Sequence, residues 1–221
     1  MPLIELVIFD CDGVLVDSEL IACSTVSRCL SEAGITLSAE EVISSYIGVS
    51  TSTMINDFNQ RFGPRLPSNF PEMLQDRTRE AFERELKAVD GARDALLMIP
   101  FRACVASSST PERIAHSLKM TGLLDRFDGN VFSATQVSHG KPAPDLFLYA
   151  AGRMSAAPIH CVVIEDSIPG VQAAMAAGMR ALGFTGGSHC PPGHALKLRE
   201  AGAMLTFDRM GSLPLLLADL S

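Results

Sequence analysis

Leu6-Val7-Ile8-Phe9-Asp10-Cys11-Asp12-Gly13-Val14 is the stretch whose reading decides the fold. Four apolar residues run directly into an acid, one residue is skipped, and a second acid precedes a glycine. So short a continuous apolar run reads as a strand buried on both faces, as in a parallel sheet. Side chains at i and i+2 on extended backbone point the same way, so Asp10 and Asp12 aim at one spot. Two carboxylates so placed repel unless a cation or a shared proton lies between them. Gly13 frees the backbone to turn sharply and lets a ligand approach. Taken alone, the stretch reads equally well as a solvated acidic turn; the rest of the chain breaks the tie.

Downstream, residues 17–87 carry helical patterning and no strand signal. Ser18 stands as an N-cap and Gly34 as the stop of a first helix. Ser38-Ala39-Glu40-Glu41 forms a capping box for a second helix that ends near Gly48. A third helix runs from Ser52 to Phe62, and a long polar one from Pro71 to about Lys87. This segment reads as an insertion over the end of the first strand. From Asp90 onward helices and strands alternate. Strands are expected at 102–106, 130–133, 161–164, 180–184 and 204–207, with Thr110-Pro111 capping one intervening helix and Lys141-Pro142-Ala143-Pro144 starting another. Alternation of this kind implies right-handed crossovers and a doubly wound parallel sheet.

The 221 residues can bury a substantial core. The formal net charge is −7 with no block of Lys or Arg, which argues against nucleic acid and against anionic membranes as partners. The longest apolar stretches, such as Leu213 to Ala218, are far too short to span a bilayer, and Met1 to Phe9 has no basic leader region. Cys11, Cys23, Cys29, Cys104, Cys161 and Cys190 show no paired spacing and read as reduced, mostly buried residues of a cytoplasmic protein. Period-2 alternation turns Cys11 away from the two acids.

Ligands of an open α/β sheet sit at the carboxyl ends of its strands. Here the first strand delivers Asp10 and Asp12, a second delivers Ser107, and a later one delivers Glu165 and Asp166. Lys141 falls at an expected helix start, where backbone N–H groups also favour anions. Four acids in one small volume call for a divalent cation, and an oxygen-only donor set points to Mg²⁺ rather than zinc. The cation and Lys141 together make a positive spot in a net-negative protein, suited to a phosphoryl group. Singly, Ser107 reads as a turn residue, Lys141 as a surface lysine and Glu165-Asp166 as a capping pair. Their succession at strand ends makes the case.

Asp-x-Asp-Gly-Val after an apolar strand, Ser107 after a later strand, Lys141-Pro142-Ala143-Pro144-Asp145 and Glu165-Asp166-Ser167-x-x-Gly170 together resemble the haloacid dehalogenase (HAD) superfamily. The resemblance runs along essentially the whole chain and is strongest to the β-phosphoglucomutase-like phosphatases. It implies a Rossmann-like core at 1–16 and 88–221 with an inserted all-helical cap domain at 17–87. It further implies Asp10 as nucleophile, Asp12 as general acid/base, and Ser107, Ser108 and Lys141 as phosphate binders. Metal ligands are implied at Asp10, Asp12 through its carbonyl, Glu165 and Asp166, with Mg²⁺ as cofactor.

The resemblance also sorts the reactions. Haloacid dehalogenases lack the second acid and phosphonatases typically carry Ala there, so Asp12 counts against both. The mutases carry a His ten residues beyond the second acid, where this chain has Ala22, so a phosphatase is preferred to a hexose phosphate mutase. A non-catalytic binding module of this fold would have lost an acid or Lys141. The expected substrates are sugar phosphates or phosphorylated sugar acids such as 6-phosphogluconate. Gly48, Val49, Arg77 and Arg79 are the candidate cap contacts, although each Arg singly reads as a solvated charge. All five histidines are expected to be non-catalytic, with His139 the nearest to an exception. A monomer is compatible with the sequence.

Overall fold

The structure, a computed structural model, describes residues 3–46 and 49–221. Its centre is a six-stranded sheet: β1 (Leu6–Phe9), β2 (Arg102–Ser107), β3 (Val131–Ser133), β4 (Cys161–Glu165), β5 (Arg180–Phe184) and β6 (Leu205–Phe207). Every neighbouring pair is parallel, in the order β3-β2-β1-β4-β5-β6. β1 is therefore central, with Phe9 in register with Val105 on one side and Ile164 on the other. Its buried residues divide by alternation. Val7 and Phe9 pack into one apolar cluster, and Leu6 and Ile8 into another. That two-sided burial is what the uninterrupted apolar run requires.

Helices α5 (Ala92–Met98), α6 (Pro111–Met120), α7 (Asp145–Arg153), α8 (Ile168–Ala176), α9 (His194–Glu200) and α10 (Leu213–Asp219) cover the two faces. Between β1 and α5 the chain forms α1 (Glu19–Glu32), α2 (Ala39–Tyr46), α3 (Thr51–Phe62) and α4 (Phe70–Glu85). These four helices share an apolar cluster of their own. Phe58 is fully buried at its middle, with its ring edge-on to Tyr46 and Phe70. The expected capping box is present, Ser38 N–H donating to Glu41 Oε2 at 2.7 Å and Glu41 N–H to Ser38 Oγ at 3.2 Å. The chain enters and leaves this helical segment side by side. Asp17 N–H donates to Lys87 O at 3.0 Å, Val89 N–H donates to Leu15 O at 2.9 Å, and Val16 pairs with Ala88 in an antiparallel bridge.

Two local expectations are corrected. The helix expected from Lys141 begins at Asp145, because Pro142 and Pro144 each bias the residue before them toward extended backbone. Lys141 therefore stands on a loop rather than in a helix N-terminal turn. Ser18 precedes α1, but its side chain makes no capping bond; its hydroxyl is committed to Asp12.

Candidate active site

The floor of the site is assembled where β1, β2 and β4 end. Asp10 continues β1, its N–H donating to Ile164 O at 3.0 Å, and its carboxylate comes to lie beside those that follow β4. Asp10, Glu165 and Asp166 each offer an oxygen within 4.8 Å of the others. Lys141 Nζ donates to Asp10 Oδ1 and to Glu165 Oε1, both at 2.6 Å, and to Ala106 O at 3.2 Å. Its side chain is only 2% exposed, so an ammonium that reads as a surface charge in the sequence is locked inside. The adjacent carboxylates outweigh burial and raise its pKa above the ordinary lysine value. Burial drives Asp10 well above the ordinary carboxylate range. Lys141 pulls against it, while Glu165 and Asp166 push the same way.

Glu165 is fully buried, and its second oxygen accepts from Ser167 N–H and Ser167 Oγ, both at 2.9 Å. Gly170, one turn on, is what makes room: a Cβ there would stand 1.9 Å from the Glu165 carboxyl.

Asp12 sits in a different environment. Ser18 Oγ donates to Oδ1 at 2.7 Å, Ser109 Oγ to Oδ2 at 2.6 Å, and Arg113 to Oδ1 at 3.1 Å. Burial alone would raise this carboxyl; Arg113 and the two hydroxyls outweigh it and hold the pKa below the usual value. Gly13, at φ +81°, turns the chain immediately afterwards, and a Cβ there would lie 2.0 Å from Asp166 Oδ2. Ser107 closes β2, buried beside Ser133, and its Oγ accepts from Ser109 N–H at 3.1 Å.

Asp166 is held from two sides. The ring of His194 donates Nε2–H to the Asp166 carbonyl at 2.5 Å. His189 Nε2 makes a charge contact of 2.9 Å with Oδ2, although Oδ2 is a buried atom without a hydrogen-bond partner. That contact outweighs burial and lifts the His189 imidazole to about 11.

Above this floor lies a cavity of about 730 Å³ between the strand ends and the four-helix segment. Asp10, Asp12, Ser107, Ser108, Lys141 and Asp166 line its lower part; Ala22, Val49, Gln75, Thr78 and Arg79 contribute from the helices. Of the expected cap contacts, Val49 and Arg79 reach the cavity. Arg77 does not line it and pairs with Glu80 at 3.8 Å on an exposed face. Gly48 lies outside the described residues. His139 also stays out, its ring exposed and 3.0 Å from Asp145.

Sequence reasoning passed over Arg113, Ser109, Glu19 and His189. Glu19 opens α1 and lines the cavity, and burial together with Asp12 and Asp166 raises it to about 7. Arg113 carried a readable signal, since the first turn of a helix that follows a strand end points back to that end. For His189 the sign was the glycine pair Gly186-Gly187 just before it.

The oxygen-only donor set of Asp10, Glu165 and Asp166 fits a hard divalent cation. The family model of the haloacid dehalogenase-like hydrolases matches residues 7–184, and the chain belongs to that family. Among its relatives, the 6-phosphogluconate phosphatase of Escherichia coli is 33% identical over 193 residues, covering 87% of each chain. The phosphorylated carbohydrates phosphatase of Thermotoga maritima is 31% identical over 179 residues, covering 79% of this chain and 82% of its own. Among solved structures, a haloacid dehalogenase-like protein from Agrobacterium tumefaciens superposes with a TM-score of 0.85 at 37% identity, covering 98% of this chain and 99% of that one. The chain stands with the phosphoric monoester hydrolases of its family.

Proposed function

We propose that the protein hydrolyses small phosphate monoesters, sugar phosphates or phosphorylated sugar acids, through a phosphorylated Asp10. The observation that carries this reading is the convergence of Asp10, Lys141 and Asp166, far apart in the chain, on one point at the cavity floor. The two curated relatives, named for phosphorylated sugars or sugar acids, support the substrate class. So does the cavity wall, where Ser50, Thr51, Asn56, Gln75 and Thr78 offer hydroxyl and amide partners to a polyhydroxylated leaving group.

In this reading Asp10 attacks phosphorus in line, forming an Asp10–phosphorus bond as the ester P–O bond breaks. Asp12, whose charged form Arg113, Ser18 and Ser109 favour before substrate arrives, takes up a proton with the bound monoester and gives it to the departing alkoxide. A water then attacks the phosphoaspartate, Asp12 takes that water's proton, and inorganic phosphate leaves with Asp10 restored. Arg113, Ser18 and Ser109 keep Asp12 aimed at the cavity through both steps. Lys141 holds Asp10 in place and offsets charge on the transferring group, with Ser107 and Ser108 beside it. Asp10, Asp166, Glu165 and the Asp12 carbonyl would hold a Mg²⁺ ion. Bound there, it supplies further positive charge to the phosphoryl oxygens.

Ala22 lines the cavity where the mutases carry their histidine, which favours hydrolysis over mutase chemistry. The helical segment at 17–87 serves as the cap that selects the leaving group. Six free cysteines suit a reducing, cytoplasmic setting, and no helix among the described residues is long and apolar enough to cross a membrane.

The test is release of inorganic phosphate from a panel of phosphorylated sugars, sugar acids and polyols, with Mg²⁺ and with EDTA. Asp12→Asn refines it. This variant is expected to lose about 10²–10⁴-fold with sugar phosphates and much less with p-nitrophenyl phosphate, whose leaving group needs little protonation. Equal losses on both substrates would remove Asp12 from the acid role. No phosphate release from any panel member would remove the function.

A further inference from the structure

The loop between β5 and α9 spends several constraints on placing one imidazole. Ser188 anchors it to the start of the helical segment, its N–H and Oγ donating to Asp17 Oδ1 at 3.0 and 2.8 Å. Cys190 N–H closes the turn on Gly187 O at 3.0 Å, and Cys190 Sγ lies 3.4 Å from His189 Nε2. The ring between these anchors has no side-chain exposure.

Two glycines hollow out its slot. A Cβ on Gly187 would lie 2.6 Å from His189 Cε1, and one on Gly13 would lie 2.7 Å from the same atom. Neither position tolerates a side chain while the ring is there. Burying an imidazole has a desolvation cost, and the charged group it meets is the Asp166 carboxylate, 2.9 Å away. His139 and His160, by contrast, make exposed contacts and do not line the cavity.

We propose that His189 is a positioning residue for Asp166: it fixes one carboxylate oxygen so that the other faces Asp10 and receives the divalent cation. The inference rests on the metal-dependent reading above and extends it to a residue outside the motifs that define the site. Ligand-orienting groups of this kind typically contribute 10–100-fold in metal affinity. His194, bonded to the Asp166 carbonyl, fixes the backbone while His189 fixes the side chain.

The experiment is calorimetric titration of the full-length, metal-stripped protein with MgCl2, supported by Mn²⁺ binding followed by electron paramagnetic resonance. His189→Met keeps the volume and removes the N–H, and is expected to weaken Mg²⁺ binding about 10–100-fold. His189→Gln retains an N–H near the position of Nε2 and is expected to stay within about threefold of wild type. At saturating Mg²⁺ the His189→Met kcat recovers, which a general structural defect would not allow. Should His189→Met fail to fold by circular dichroism, Gly187→Ala displaces the ring instead and is expected to weaken Mg²⁺ binding in the same direction. Metal affinity within twofold of wild type in the folded variant overturns the proposal. If wild type binds Mg²⁺ and releases phosphate while His189→Met binds equally well, only the role of His189 falls. If wild type binds no divalent ion, the metal-dependent reading falls with it.

Discussion

At the floor of the cavity each charged side chain is gripped by partners from distant parts of the chain. Lys141 bridges Asp10 and Glu165, and Asp12 takes donors from Ser18, Ser109 and Arg113. The roof is made differently. Among the described residues Arg79 pairs only with Asp76 one turn away, its side chain 60% exposed, and Glu19 has no hydrogen-bond or ion-pair partner although it lines the cavity. The floor is a set of mutually dependent charges in a water-poor place, where removing one member strands the others. The roof side chains are less interlocked: a change at Arg79 touches what is bound and little else, while Glu19 still feels Asp12 and Asp166 below it. In the proposed function, chemistry that needs fixed charge falls to the first, and choice among leaving groups to the second.

Three substitutions can break or sharpen this contrast. Asp10→Asn carries the largest effect: kcat is expected to fall about 10⁴-fold or more, with the circular dichroism spectrum unchanged. Turnover within tenfold of wild type would separate the floor from the chemistry altogether.

Lys141→Met comes next, read as stability. It leaves two buried carboxylates without their cation, and urea unfolding of the metal-stripped protein is expected to show a loss of about 3–5 kcal/mol. A loss below about 1 kcal/mol would show that the floor is not a coupled unit, since that is the scale of an exposed pair.

Glu19→Gln is the smallest and has the opposite sign. In the folded chain this carboxyl lies at about 7 against an ordinary 4.5, so the fold favours its protonated form. The destabilisation is present above pH 7 and is relieved as pH falls through 7 toward 4.5. Glu19→Gln is therefore expected to stabilise by about 1–2 kcal/mol at pH 8, discounted for its opening onto the cavity. The gain should shrink strongly near pH 5 and vanish only below 4.5. Paired thermal melts at the two pH values check this, and an equal gain at both would show that Glu19 already has a partner.

The same division explains what the sequence disclosed. Asp10, Asp12, Ser107, Glu165 and Asp166 were legible because each ends or follows a strand, and a parallel sheet brings strand ends to one edge whatever the rest of the chain does. Lys141 was legible through its motif, but not the means by which it arrives: two prolines keep it on a loop, and its ammonium lies over the Phe147 ring, 5.0 Å from the centroid. Ser109 was hidden because nothing in its local pattern separates it from a turn hydroxyl, and Arg113 and His189 because their local signals, a first-turn position and a preceding glycine pair, do not say which group they face. Their roles depend on which distant carboxylate the fold sets opposite them. Arg77 and Arg79 were indistinguishable for the converse reason, since two positions along one helix decide which reaches the cavity and which faces water.

The paired strands of chain at Leu15–Asp17 and Lys87–Val89 carry one more consequence. Because the four-helix segment begins and ends at adjacent points, deleting it leaves two chain ends already within hydrogen-bonding distance. A short turn could then join them with little loop-closure entropy. The α/β sheet is thus wired like a socket, able to accept helical inserts of other lengths without rethreading its strands. In the proposed reading of this segment as the selecting cap, leaving-group preference is exchanged as a single cassette while the phosphoryl chemistry beneath is left as it is.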